Sequence, residues 1–142
     1  MLLVLLMLSC MPEQKSIEYG SDRCEFCKMT VVDRQHAAEV VTSKGKVYVF
    51  DAIECMVNYI DKREDSNYAF LLVNNYEKPG ELMDAKTSHF LISKAIPSPM
   101  GAYLSAFENK VNARKMQLKK SGNLYDWKGV QEKITGTPIS KN

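Results

Sequence analysis

At 142 residues with 45 % hydrophobic content, the chain is long enough to bury one core of its own without disulfide staples. Its 19 basic and 17 acidic residues leave a formal charge of +2 and are scattered along the sequence, which argues against a nucleic-acid partner. Four cysteines are too few for a disulfide scaffold of this length, but three sulfur side chains near the N-terminus fall close enough together to ask for chemistry.

Residues 1–9 are uncharged and almost wholly apolar, far short of the roughly 20 residues that span a bilayer, and read as the apolar core of a signal peptide. Ser9-Cys10 resembles the lipobox of bacterial lipoproteins. Cys10 is then the expected lipidation site, residues 10–21 the lipidated N-terminus and polar tether, and the cell envelope, facing the periplasm, the expected location. A single domain is expected over residues 22–136, with a polar tail at 137–142.

Residues 30–33, 37–42 and 46–50 are short β-branched runs, the last two separated by Ser43-Lys44-Gly45, and predict an antiparallel meander. Asp51 reads as the N-cap of a helix, with Glu54 completing a capping-box-like pair, and Ile53, Met56, Val57 and Ile60 repeat at helical spacing. Residues 68–73 form a continuous apolar run bounded by Asn and Ser, the pattern of a well-buried strand. After a Lys78-Pro79-Gly80 turn, strands are predicted at 81–85 and 88–93. Ser98-Pro99 then reads as a helix start, with Tyr103, Ala106, Phe107 and Lys110 following at helical spacing. A basic helical stretch at 113–120, a short strand at 123–127 and a weak helix through Ile134 complete the chain. Both halves thus run strands, helix, strand, which suggests a pseudo-duplication with halves at about 22–80 and 81–136.

Cys24-Glu-Phe-Cys27-Lys-Met29 places two thiols and a thioether where one loop can fold them around an ion. Thiolate and thioether are soft ligands that favour Cu(I), and no group of oxygen ligands accompanies them. A structural zinc site would want a second Cys or His pair, which the chain lacks. A thioredoxin-like site would want the CxxC at the start of a helix after a buried strand, whereas Thr30-Val-Val is a poor helix opening. Met100, in the Ser-Pro-Met-Gly turn, is the natural remote ligand. Met56 falls on the apolar stripe of its helix and reads as packing, whereas Cys55 falls away from it. Cys55 is therefore either a neighbour of the cluster or a plain semi-buried thiol. His36 and His89 are each candidates for a further ligand. No catalytic triad, paired carboxylates or phosphate loop emerges, so a non-enzyme is expected.

The segments Cys24-Glu-Phe-Cys27-Lys-Met29-Thr-Val-Val, Ala37-Ala-Glu, Val49-Phe50-Asp51-Ala-Ile-Glu-Cys55-Met56 and Ser98-Pro99-Met100-Gly101, in that order, resemble the NosL family of copper-chaperone lipoproteins for nitrous oxide reductase. The resemblance runs from about residue 22 to 127. It implies an α+β fold of two related β-β-α-β, treble-clef-like halves, with antiparallel sheets and packed helices. It also implies delivery of Cu(I) to nitrous oxide reductase through a membrane-bound ABC-type maturation complex. Cys27 and Met29 match the family's first motif and Met100 its later methionine, with Cys24 completing the expected metal-ligand set. A thiol-disulfide oxidoreductase and a structural zinc-binding module are the alternatives.

Overall fold

A computed structural model describes residues 11–63 and 67–138. The expected signal peptide, Cys10 and the end of the polar tail lie outside them. The elements in chain order are β1 (Ala38–Thr42), β2 (Val47–Phe50), α1 (Ile53–Asp61), β3 (Tyr68–Asn75), β4 (Lys78–Asp84), β5 (His89–Ile92), β6 (Leu104–Phe107), α2 (Lys110–Lys120), β7 (Asn123–Tyr125) and α3 (Trp127–Thr135). Among the described residues no helix is long and apolar enough to cross a membrane.

The strands form two antiparallel sheets, ordered β2-β1-β3-β4 and β6-β5-β7. Each half therefore follows β-β-α-β with its first strand in the centre of its sheet, the α+β arrangement expected. β1 is buried from Ala38 through Val41, as a central strand covered on both faces must be. On one face Val40 joins the core with Phe50, Ile53, Met56 and Val57. On the other, Glu39 accepts a hydrogen bond from the Lys15 amide (2.9 Å), and Tyr19 reaches Asn74 of β3 (3.0 Å), so the N-terminal segment straps the sheet. β4 pairs with β3 and spans the residue-80 boundary, which places it in the first sheet. The same core runs on into the second half through Phe90, Leu104, Ala106 and Trp127. Burying side chains of this size stabilises a core by several kcal/mol, and truncating a buried Phe to Ala costs about 3–5 kcal/mol.

Four local expectations are corrected. Lys78-Pro79-Gly80 is not a turn but the start of β4, the hairpin having already turned at Tyr76-Glu77 directly after β3. Residues 30–33 are not a sheet strand. Thr30 forms an isolated bridge with Arg23, the Val31 amide donates to the Asp22 carbonyl (2.9 Å), and its carbonyl accepts from Gly20 (2.8 Å). The run folds back on the segment before the cysteines, so its backbone groups are satisfied locally rather than by β1. Asp51 does not cap α1: the N-cap is Ala52, with no side-chain hydrogen bond, so the Asp51–Glu54 capping box is absent. Ser98-Pro99 does not open a helix. A turn closes there, with Gly101 N donating to Ser98 O (3.0 Å), and Tyr103 at φ 58 redirects the chain into β6. Leu104 through Phe107 are all buried, including Ser105, and a short strand buried on both faces places apolar residues at spacings that mimic a helix. The helix waits for Asn109, whose side chain accepts from Asn112 N (2.9 Å). Asp126 likewise ends β7 and caps α3 by accepting from Gly129 N (2.8 Å).

Where α2 ends, Gly122 sits at φ +104, and a Cβ there would collide with the Ile92 carbonyl oxygen. Gly122→Ala is expected to lower stability by about 1–3 kcal/mol through backbone strain. The denaturation midpoint measures this, and an unchanged midpoint would show that the turn relaxes freely.

Candidate metal site

β2 is an edge strand, and its open side is used. The Glu25 amide donates to the Val49 carbonyl (2.9 Å), which lays the cysteine loop along the end of β2. The loop closes on itself, with Cys24 N donating to Met29 O (2.8 Å) and Lys28 N to Cys24 O (2.9 Å). Lys28 takes a left-handed conformation, φ 67, to make that closure. Arg23 clamps it with two hydrogen bonds to the Lys28 carbonyl, 3.1 Å from Nε and 2.9 Å from Nη2.

Directly after β2 the chain passes Asp51 and turns into α1, so the helix start stands beside the loop. The Cys55 and Met56 amides both reach the Ala52 carbonyl, at 3.1 and 3.3 Å, which holds the first turn tight. The outcome is a four-donor group: Cys24, Cys27 and Cys55 Sγ and an Asp51 carboxylate oxygen all lie within 4.8 Å of one another. Cys24, Cys55 and Asp51 are buried and Cys27 is half-buried.

The three sulfurs share charge unequally. Cys24 is pulled down to about 6, chiefly because the Cys55 thiol donates to it, with the Cys27 amide (3.4 Å) adding to the effect. Cys55 is pushed up by the same hydrogen bond and then by burial. Cys27 is pushed up to about 11, first by burial, and its thiol donates to Asp51 Oδ1 at 3.2 Å. The hydrogen bonds thus favour the thiolate form at Cys24 and the thiol form at Cys27 and Cys55.

Met29 ends the same loop and is 59 % exposed. Met100 is 44 % exposed, on the turn that replaced the expected helix. Glu54 anchors that turn, since Ser98 Oγ donates to its Oε1 (2.6 Å), as does the Ala102 amide (3.3 Å), and the Tyr103 amide donates to Ser98 Oγ (2.9 Å). Because Glu54 precedes Cys55, the Met100 turn hangs from the helix turn that carries the third thiol. Neither histidine joins the group. Both ring nitrogens of His36 are taken, Nδ1 by Asp33 (2.9 Å) and Nε2 by Ser105 (3.1 Å). His89 begins β5 and lines a cleft with Lys110 and Asp126.

By sequence alone Cys55 has two readings and Asp51 has the pattern of a helix cap. The spacing Asp51-x-x-x-Cys55 across a strand-to-helix junction is the signal that connects them. It becomes legible only once the cysteine loop is known to lie against β2.

Two outcomes follow for the metal-free protein. Thiolate absorbance should develop as pH rises through about 6, and Cys55→Ala, which removes the donor to Cys24, should move that step upward. A step that stays in place would disprove the Cys55 hydrogen bond. Ser98→Ala should cost about 1–3 kcal/mol, because buried Glu54 loses a donor, and should speed hydrogen exchange at the Tyr103 amide. Unaltered exchange would show that Glu54 does not hold the turn.

Residues 16–135 match the family model for NosL. Comparison with curated proteins gave no match. Among solved structures, the fold is similar to the crystal structure of the copper chaperone NosL from Shewanella denitrificans. The TM-score is 0.71 and the identity 19 %, over 81 % of this chain and 93 % of that one. With the family model covering nearly all of the described residues, the chain belongs to the NosL family.

Proposed function

We propose that this protein is a copper-binding chaperone that holds Cu(I) with Cys24, Cys27, Met29 and Met100 and hands it to an acceptor. The observation that carries the reading is the gathering of three thiols and Asp51 within 4.8 Å; Met29 is exposed at the end of the same loop and Met100 is exposed on the turn anchored by Glu54. Soft sulfur donors favour Cu(I), and binding displaces the thiol protons. The solved relative's description as a copper chaperone agrees with this. The acceptor we propose is nitrous oxide reductase, reached through a membrane-bound ABC-type maturation complex. Lipidation of Cys10 would tether the protein to the bacterial envelope, facing the periplasm.

The arrangement favours binding over thiol-disulfide exchange. An attacking cysteine needs low pKa and access together. Here they are split: Cys24 has the lowered pKa but is fully buried, and Cys27 is reachable but pushed up to about 11.

Anaerobic Cu(I) titration against a chromogenic chelator tests the reading. One Cu(I) per chain is expected. Cys27→Ser should weaken affinity by at least about tenfold, the lower bound seen even for residues that only support a ligand. Met29→Leu should weaken affinity less and slow transfer to a competing thiol. Wild-type affinity and stoichiometry in both variants would remove these residues from the site, and a preference for zinc over Cu(I) would favour a structural zinc module.

A further inference from the structure

We propose that Cys55 is the innermost donor of the site, a third thiolate that retains the ion after the shallower sulfurs have captured it. The inference rests on the copper reading and assigns one more residue to that same site.

Its basis is a gradient of burial along a set of soft donors. Cys24 and Cys55 are 0 % and 1 % exposed, Cys27 is half-buried, and Met29 stands 59 % exposed on the same loop. A core cysteine ordinarily behaves as a small hydrophobe packed among apolar neighbours. Cys55 belongs to the apolar core, yet its sulfur also lies within 4.8 Å of two other thiols and a buried carboxylate. Ionisable donors buried this close together are ordinarily paired or coordinate a metal ion.

Cys55 is also rigidly placed. Its amide is bonded within the first turn of α1, and the preceding residue, Glu54, is tied to Ser98 and Ala102 of the other half. Such fixing suits a retaining ligand, whereas Cys27 and Met29, on a surface loop, suit capture and exchange. Joining the site requires no redox change. The Cys55 thiol gives one proton to solvent, and the resulting thiolate electron pair forms the metal–sulfur bond.

The test uses the full chain with Cys10→Ser as a common background, so that only three thiols remain, and compares it with Cys55→Ser and Cys55→Ala. Cd(II) serves as a probe, because its sulfur-to-metal charge-transfer absorbance scales with the number of bound thiolates. Three thiolates per Cd(II) are expected in the parent and two in each variant. Cu(I) affinity should fall by at least about tenfold in the variants, since even residues that merely orient a ligand are worth that much. Parent-like Cd(II) absorbance and Cu(I) affinity in the variants would overturn the assignment. Where neither variant folds, as judged by near-ultraviolet circular dichroism, the parent's own count decides: three thiolates uphold Cys55 and two overturn it. A parent that shows three Cd(II) thiolates but no Cu(I) binding would uphold Cys55 as a donor and overturn copper as the cargo.

Discussion

The single hydrogen bond from the Glu25 amide to the Val49 carbonyl fixes where the rest of the site can be. An edge strand presents unpaired backbone groups that a protein must cover, and here the covering segment is the cysteine loop itself. The loop therefore shares its position with the end of β2, and the residues that follow β2 are Asp51 and the start of α1. Closing so short a loop demands a left-handed residue, and Lys28 takes that role without being glycine, at a cost of about 1–2 kcal/mol. Arg23's paired hydrogen bonds to the Lys28 carbonyl, together with the Cys24–Met29 and Lys28–Cys24 backbone bonds, offset that strain.

Once the loop is fixed, electrostatics shapes what the cluster can do. Three thiols and a carboxylate packed together cannot all ionise, because each buried charge raises the cost of the next. Within the cluster the Cys55 thiol favours the charged form of Cys24, and the Cys27 thiol donates to Asp51. Each proton that remains is one a soft cation can displace, and displacement relieves the crowding that raised Cys27 and Cys55. Affinity for a cation and suppression of free-thiol reactivity thus arise from the same packing.

Much of the fold was legible in the sequence because period and punctuation agreed. The Ser43-Lys44-Gly45 separator, the apolar stripe of α1 and the bounded run of β3 each point one way. The failures share a cause. Residues 30–33 have strand composition, but their hydrogen bonds are taken by residues 20–23, a pairing that local pattern cannot show. Asp51 and Ser98 are good helix caps by type, yet each has a stronger tertiary partner, Cys27 for one and Glu54 for the other. Cys55 was ambiguous because a helical wheel shows which residues leave the apolar stripe, not what meets them. Residues that abandon a local role for a distant partner are the ones that build the site.

The duplicated topology gives this a structural logic. Both halves run β-β-α-β with the first strand central, but only the first carries a cysteine loop. The β5–β6 connection of the second half carries Met100 on a turn hung from Glu54 of α1. Other contacts lock the same junction: His36 bridges Asp33 to Ser105 of β6, and the Tyr76 amide donates to the Ala106 carbonyl. The place of the Met100 turn is therefore set by how the halves pack rather than by its own sequence. Loosening that junction at Ser98 would shift the exposed thioether relative to the thiols while leaving every sulfur intact. The joint between the halves thus sets where the Met100 turn stands, and the edge of β2 sets where the three thiols gather.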